Sequence, residues 1–170
     1  KRKGVARQTP MLAARVSANG PYGWLAESKT LPDRIGASFG LHRWGGLPKH
    51  AKENVDARAG HLVAYLRRGL VAPALEAREP TAQELRGKAI FDSREAACGS
   101  CHRSQSDFTD RVAYPLRKLP TRPGFDADPP DVELKTPSLR FVGGTAPYLH
   151  DGSAATLELL VSVLGTEAGG

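Results

Sequence analysis

The chain has 170 residues, room for one domain or two small ones, and its 40% hydrophobic and 25% charged content is that of a globular protein. A formal net charge of +6 favours acidic partners, although solubility alone accounts for it equally well. No stretch approaches the roughly 18 consecutive apolar residues of a membrane span, and the basic start KRKGVARQTP has no apolar core behind it to make it a signal peptide.

In chain order, the first feature is the stretch TPMLAARVSANGPYGWLAESKTL at 9–31, which returns in altered form as TPSLRFVGGTAPYLHDGSAATL at 136–157. Thr9, Pro10 and Leu12 match Thr136, Pro137 and Leu139 at an offset of 127. One residue is then dropped, and Pro21, Tyr22, Thr30 and Leu31 match Pro147, Tyr148, Thr156 and Leu157 at an offset of 126, with Trp24 opposite His150. Repeats mark repeated structural units, so the chain is expected to hold parts of two related domains of about 126 residues each. After the first copy, Val55, Ala59, Leu62, Val63 and Leu66 recur on one face, which predicts an amphipathic helix over 53–68 with Gly69 as its stop. That helix starts about 20 residues past Leu31, whereas 13 residues follow Leu157. The second copy is therefore expected to lack its closing helix, and the first to have its own motif upstream, about 30 residues before Lys1.

Next comes TAQELRGKAIF, where Thr81 and Glu84 form a capping box. Ala82, Leu85 and Ala89 then share one helical face, with Ile90 and Phe91 beside it and Gly87 as a weak point. This helix leads into Cys98-Gly99-Ser100-Cys101-His102. C-x-x-C-H is the attachment signature of c-type haem. Each thiol forms a thioether to a vinyl group, and the adjacent histidine is placed under the iron as proximal ligand. A zinc site needs a further ligand pair that the chain lacks, and a thioredoxin-like dithiol needs βαβ patterning that is absent. With both cysteines spent in one motif, none remains for a structural disulfide.

From 115 to 137 the chain carries Pro115, Pro120, Pro123, Pro129, Pro130 and Pro137, and neither a strand run nor a long helix is expected there. A loop of this length in a compact domain usually wraps something, and a haem edge is the obvious candidate. Arg117, Arg122 and Arg140 are the local donors for its propionates, with solvated surface arginines as the plainer reading.

The segment TPSLRFVGGTAPYLHDGSAATLELLV resembles the C-terminal haem domain of bacterial dihaem cytochrome c peroxidases, whose relatives mature the tryptophan-derived quinone of methylamine dehydrogenase. The first copy, with GWLAE where an FWDGR-like motif is usual, resembles the matching part of the N-terminal domain. This resemblance implies a set of roles. Trp24 would lie between two haems on the electron path, with a packed core indole as the alternative. His150 would sit in a turn near the haem edge, unless it is simply a structural turn histidine. Cys98, Cys101, His102, Arg140, Tyr148 and Leu164 would surround the haem. Gln8, Thr145 and Pro147 would meet an interdomain calcium, with Gln8 replacing the family's asparagine. Leu164 stands where the peroxidases carry their distal methionine, and leucine cannot bind iron. The one methionine, Met11, lies in the other copy. The sixth iron site is then open, or held by a histidine, or by a residue beyond 170.

The expected architecture is all-α and cytochrome c-like: residues 1–75 as the back half of a first haem domain and 76–170 as most of a second with one covalent haem. The expected function is electron transfer within a dihaem peroxidase-like protein acting on hydrogen peroxide, with a second haem in the parent protein. The alternative is a non-enzymatic electron-carrier subunit of a larger redox assembly. Expected partners are a small redox protein or other haem chains, not nucleic acid. Covalent haem implies a bacterial periplasmic or extracellular location.

Overall fold

The computed structural model describes residues 4–41, 52–70, 77–115 and 119–167. The elements are α1 (Leu31–Leu41), α2 (Lys52–Arg68), α3 (Ala82–Phe91), α4 (Cys98–Cys101), β1 (Ala113–Pro115), β2 (Glu133–Lys135) and α5 (Leu157–Glu167), with 3-10 turns at Ser104–Ser106 and Val142–Gly144. Among the described residues no helix is long and apolar enough to cross a membrane.

The strict all-α expectation is overturned. β1 and β2 pair antiparallel, Ala113 opposite Lys135, Tyr114 opposite Leu134 and Pro115 opposite Glu133. The proline-rich segment was expected to contain no strand, yet its two rims pair with each other. Three residues on each side are enough to pin the ends of the loop, and a two-stranded ribbon has only edges, where proline is tolerated.

The internal repeat is visible in the backbone. Tyr22 and Ser28 exchange N–H···O bonds of 2.7 and 3.2 Å, and at an offset of 126 Tyr148 and Ala154 exchange bonds of 2.6 and 3.3 Å. Ala14 and Phe141, on the other side of the one-residue gap, both adopt left-handed conformations, with φ of 60° and 56°. Thr30 Oγ1 accepts from the Asp33 N–H and Thr156 Oγ1 from the Leu159 N–H, each at 3.2 Å. Each threonine opens an 11-residue helix, α1 in the first copy and α5 in the second. Neither helix was expected from periodicity.

α2 forms where its apolar stripe predicts, and Gly69 ends it with its N–H on the Tyr65 carbonyl at 2.7 Å. It packs on α1. Val16, Leu31, Ile35, Ala59 and Leu66 form the core cluster, with Tyr22, Leu62, Val63 and Leu70 against it. Burying each large side chain contributes about 1.5–3 kcal/mol, so this cluster anchors the first copy. The side chain of Val55, placed on the same stripe by the sequence, lies outside the described residues.

The second copy is built differently. α3 begins at Thr81 as its capping box requires: Thr81 Oγ1 accepts the Glu84 N–H at 3.2 Å and Glu84 Oε2 accepts the Thr81 N–H at 2.7 Å. Yet no residue of α3 is buried. Ile35 of α1 is 8% exposed, whereas its repeat partner Val161 on α5 is 66% exposed. Among the described residues after 76, the only buried apolar side chains are Tyr148 and Ala154. The N-terminal strip ties the copies together: Gly4 exchanges backbone and side-chain bonds with Asp126, and the Gln8 N–H reaches the His150 carbonyl at 2.7 Å.

Candidate functional site

The site starts from a single turn. Ala97 in a left-handed conformation leads into α4, and the His102 N–H closes the turn on the Cys98 carbonyl at 2.9 Å. Cys98, Cys101 and His102 are half-buried, and both thiols are free. Downstream, Asp107 and Phe108 take two successive left-handed conformations, which turns the Phe108 carbonyl back onto the imidazole. His102 Nδ1 lies 2.9 Å from that oxygen. A carbonyl only accepts, so Nδ1 carries the hydrogen and Nε2 keeps its lone pair. Burial pushes the His102 pKa down, against the raising effect of the Phe108 carbonyl, the Asp110 charge and the Pro137 carbonyl, and so favours the neutral ring.

Two further bonds hold this turn. Thr109, 1% exposed, donates its hydroxyl to the Thr136 carbonyl at 2.7 Å and accepts the Arg111 N–H at 3.0 Å. Ser138 Oγ donates to the Asp107 carbonyl at 2.7 Å. The second repeat thus clamps the loop that orients His102.

These residues fit a c-type haem. Two thiols and an imidazole with a free Nε2 come from one turn, and the second ring nitrogen is anchored as haem and metal histidines require. In the same half of the chain, which has little apolar core among its described residues, Leu85, Ile90, Leu159 and Leu164 are all exposed, the kind of uncovered apolar surface a bound apolar group can cover.

The other sequence candidates are placed as follows. Arg140 pairs through Nε with Asp107 and stays exposed. Arg122 lies over the Phe125 ring, 5.4 Å from its centroid. Arg117 lies outside the described residues. Tyr148 is buried, with its hydroxyl on the Val142 carbonyl at 3.2 Å. Leu164 sits on α5, 44% exposed. His150 is buried and its Nε2 meets Asp128 Oδ2 at 2.9 Å, while Arg7 holds the same carboxylate. Trp24 is half-buried and donates Nε1–H to the Gln8 carbonyl at 2.9 Å, and its own carbonyl accepts the Lys135 N–H at 2.8 Å. It lines a cavity of about 280 Å³ between the copies, together with Met11, Arg15, Tyr22, Lys135 and Pro137. Burial lowers the pKa of both Arg15 and Lys135.

Calcium was expected at Gln8, Thr145 and Pro147 from the family resemblance. Gln8 offers a side-chain amide and Thr145 and Pro147 their backbone carbonyls, and Arg15 Nη2 donates to the Thr145 Oγ1 at 3.1 Å. Among the described residues no group of three His, Cys, Asp or Glu side chains is placed to hold a metal ion.

Sequence reasoning missed Phe108, Thr109, Arg15 and Asp128. FTD at 108–110 was in plain view, but the roles of Phe108 and Thr109 are played through backbone partners. The pairing of Arg7 and His150 on Asp128 joins residues more than twenty positions apart and leaves no local pattern.

No protein-family model matches the chain, and no curated protein does. Solved structures do. A MauG-like protein associated with microbial copper homeostasis matches with a TM-score of 0.60 at 22% identity over 93% of this chain and 58% of that one. Hydrazine synthase of Kuenenia stuttgartiensis matches with a TM-score of 0.64 at 19% identity over 92% of this chain and 62% of that one. The likeness is one of fold, and the chain spans about three fifths of the length of both. The match to a MauG-like protein falls in with the resemblance carried by residues 136–161.

Proposed function

We propose that the chain carries one covalent haem c on Cys98 and Cys101 with His102 as proximal ligand, and that it transfers electrons within a dihaem peroxidase-like protein that reduces hydrogen peroxide. The observation that carries this reading is the His102 ring: neutral, anchored through Nδ1, with Nε2 free beside two thiols. The haem, when bound, supplies the one-electron couple. The chain's own residues hold it and set its surroundings. The Phe108 carbonyl fixes the imidazole and raises its basicity as a ligand. Thr109 and Ser138 keep that carbonyl in place. Trp24, two backbone bonds from both copies, is suited to conduct between them. The cavity beside it is lined by Pro10 and Met11, the first-copy counterparts of Pro137 and Ser138, and by Pro137 and Ser138 themselves, and a second haem of the parent protein is proposed to lie along it, with Arg15 and Lys135 as counter-charges. His150 acts here as a link between copies through Asp128. A periplasmic or extracellular location follows from the chemistry of covalent haem attachment.

The test is spectroscopic. The alkaline pyridine spectrum of the purified protein should be that of a bis-thioether haem, and the haem band should change within seconds of adding hydrogen peroxide. A c-type spectrum with no response to peroxide would support a plain electron carrier instead. A haem removable by acid acetone would refute the attachment.

A further inference from the structure

Trp24 and the proximal histidine are joined by a continuous run of bonded atoms. The Trp24 carbonyl accepts the Lys135 N–H at 2.8 Å. In the next residue, the Thr136 carbonyl accepts the Thr109 hydroxyl at 2.7 Å. Thr109 follows Phe108, whose carbonyl accepts from His102 Nδ1 at 2.9 Å. Three hydrogen bonds of ordinary length and two short stretches of backbone thus lead from the residue between the copies to the imidazole proposed to hold the iron.

The run is fixed at each step. Lys135 ends β2 and is held by its pairing with Ala113 of β1. Lys135 Nζ meets the Thr136 carbonyl at 3.2 Å, and the Thr136 N–H is taken by the Val112 carbonyl at 2.9 Å. Thr109 and Thr136 are both buried, which keeps the middle link away from bulk solvent. A second link from the first copy is poorer. Arg15 Nε reaches the Arg140 carbonyl at 3.4 Å, and Arg140 continues to Asp107 only through an exposed ion pair.

An electron tunnels with less loss through covalent and hydrogen bonds than across a van der Waals gap. We infer that the Trp24 carbonyl, the Lys135 N–H, Thr136, the Thr109 hydroxyl and the Phe108 carbonyl form the route by which one electron passes between Trp24 and the haem on His102. The Thr109 hydroxyl is the one link in it that a side chain supplies from outside the histidine, so Thr109 is a positioning residue for electron transfer as well as for the loop. No bond is made or broken in the transfer. A ferrous haem on the first-copy side loses one electron, and the ferric iron at His102 gains it. The inference rests on the haem reading and on Trp24 as the residue between the copies, and it does not need peroxide to be the natural oxidant.

The experiment uses the haem-loaded full chain with a ruthenium polypyridyl on an introduced cysteine. The two native cysteines are then thioethers, so the new thiol alone takes the label. Leu25→Cys puts the label next to the Trp24 carbonyl, and Gln105→Cys puts it beside the His102 turn, where Thr109 is not needed; both positions are exposed. A flash excites the ruthenium(II) label, which passes one electron to the ferric iron, and the haem band reads the rate. The ratio of the rates from the two positions cancels any change in the haem potential. Thr109→Val should lower that ratio several-fold, and Thr109→Ser, which keeps the hydroxyl, should restore it. Thr109→Ala also removes the hydroxyl and takes the place of valine should that chain load no haem. A ratio that stays at the wild-type value without the hydroxyl, or that is as low with serine as with valine, overturns this inference and leaves the haem reading intact. A wild-type chain that carries no haem overturns both.

Discussion

Thr109 should matter more to the site than its size suggests. It is 1% exposed, donates to the Thr136 carbonyl at 2.7 Å and accepts the Arg111 N–H at 3.0 Å. Thr109→Val keeps the shape and removes the hydroxyl. The change forfeits two hydrogen bonds, each contributing about 1 kcal/mol net, while the Thr136 carbonyl keeps Lys135 Nζ as a donor at 3.2 Å. The expected loss is about 2 kcal/mol, or roughly 4–8 °C in melting temperature for a chain of this length. Thr109→Ser keeps the hydroxyl and loses one methyl, so about 1 kcal/mol is expected. Because Phe108 precedes Thr109, loosening this clamp should also weaken the carbonyl bond to His102 and raise the haem reduction potential, since a less basic imidazole stabilises the ferric state less. Denaturant unfolding of the haem-loaded protein and a redox titration read both effects. If valine is as stable as threonine, or serine as damaging as valine, the hydroxyl is not what holds the loop.

Leu66→Ala should cost about 2–5 kcal/mol in denaturant unfolding, because Leu66 is in the apolar core cluster that α2 shares with α1. Asp151 is 2% exposed and accepts the Arg122 N–H at 2.8 Å and the Ser153 N–H at 2.9 Å. Burial raises its pKa, but these N–H bonds, with His150 nearby, outweigh that and hold it below its ordinary value. A depressed pKa contributes stability that is present above about pH 4 and is lost as the pH falls through the folded value. Asp151→Asn should flatten that acid limb in a pH series of melting curves.

The parts of the fold that were legible in the sequence are those set by local spacing. The Thr81–Glu84 capping box, the stripe of α2 and the Cys98–His102 motif each carry their own period or cap. The repeat was legible because Thr9, Pro10, Leu12, Pro21 and Tyr22 recur as Thr136, Pro137, Leu139, Pro147 and Tyr148, and Tyr22 and Tyr148 close the same bridge, to Ser28 and Ala154. α1 and α5 were missed, although Thr30 with Asp33 caps the first of them reciprocally, at 3.1 and 3.2 Å. Their short apolar runs lack a clear period. β1 and β2 could not be read, because each is three residues long and exists only through its partner. The inner geometry of the site was hidden for a related reason. The left-handed turn at Asp107 and Phe108 and the pairing of Arg15 with Thr145 depend on chain segments brought together by folding.

The central claim is that Cys98 and Cys101 hold one haem covalently and His102 faces its iron. Mass spectrometry of the intact, denatured protein tests it most directly. The account predicts a mass exceeding that of the polypeptide by one haem, lost when both Cys98→Ala and Cys101→Ala are introduced. A mass equal to the bare polypeptide in cells able to attach haem c, or a haem adduct that survives the double substitution, would contradict it.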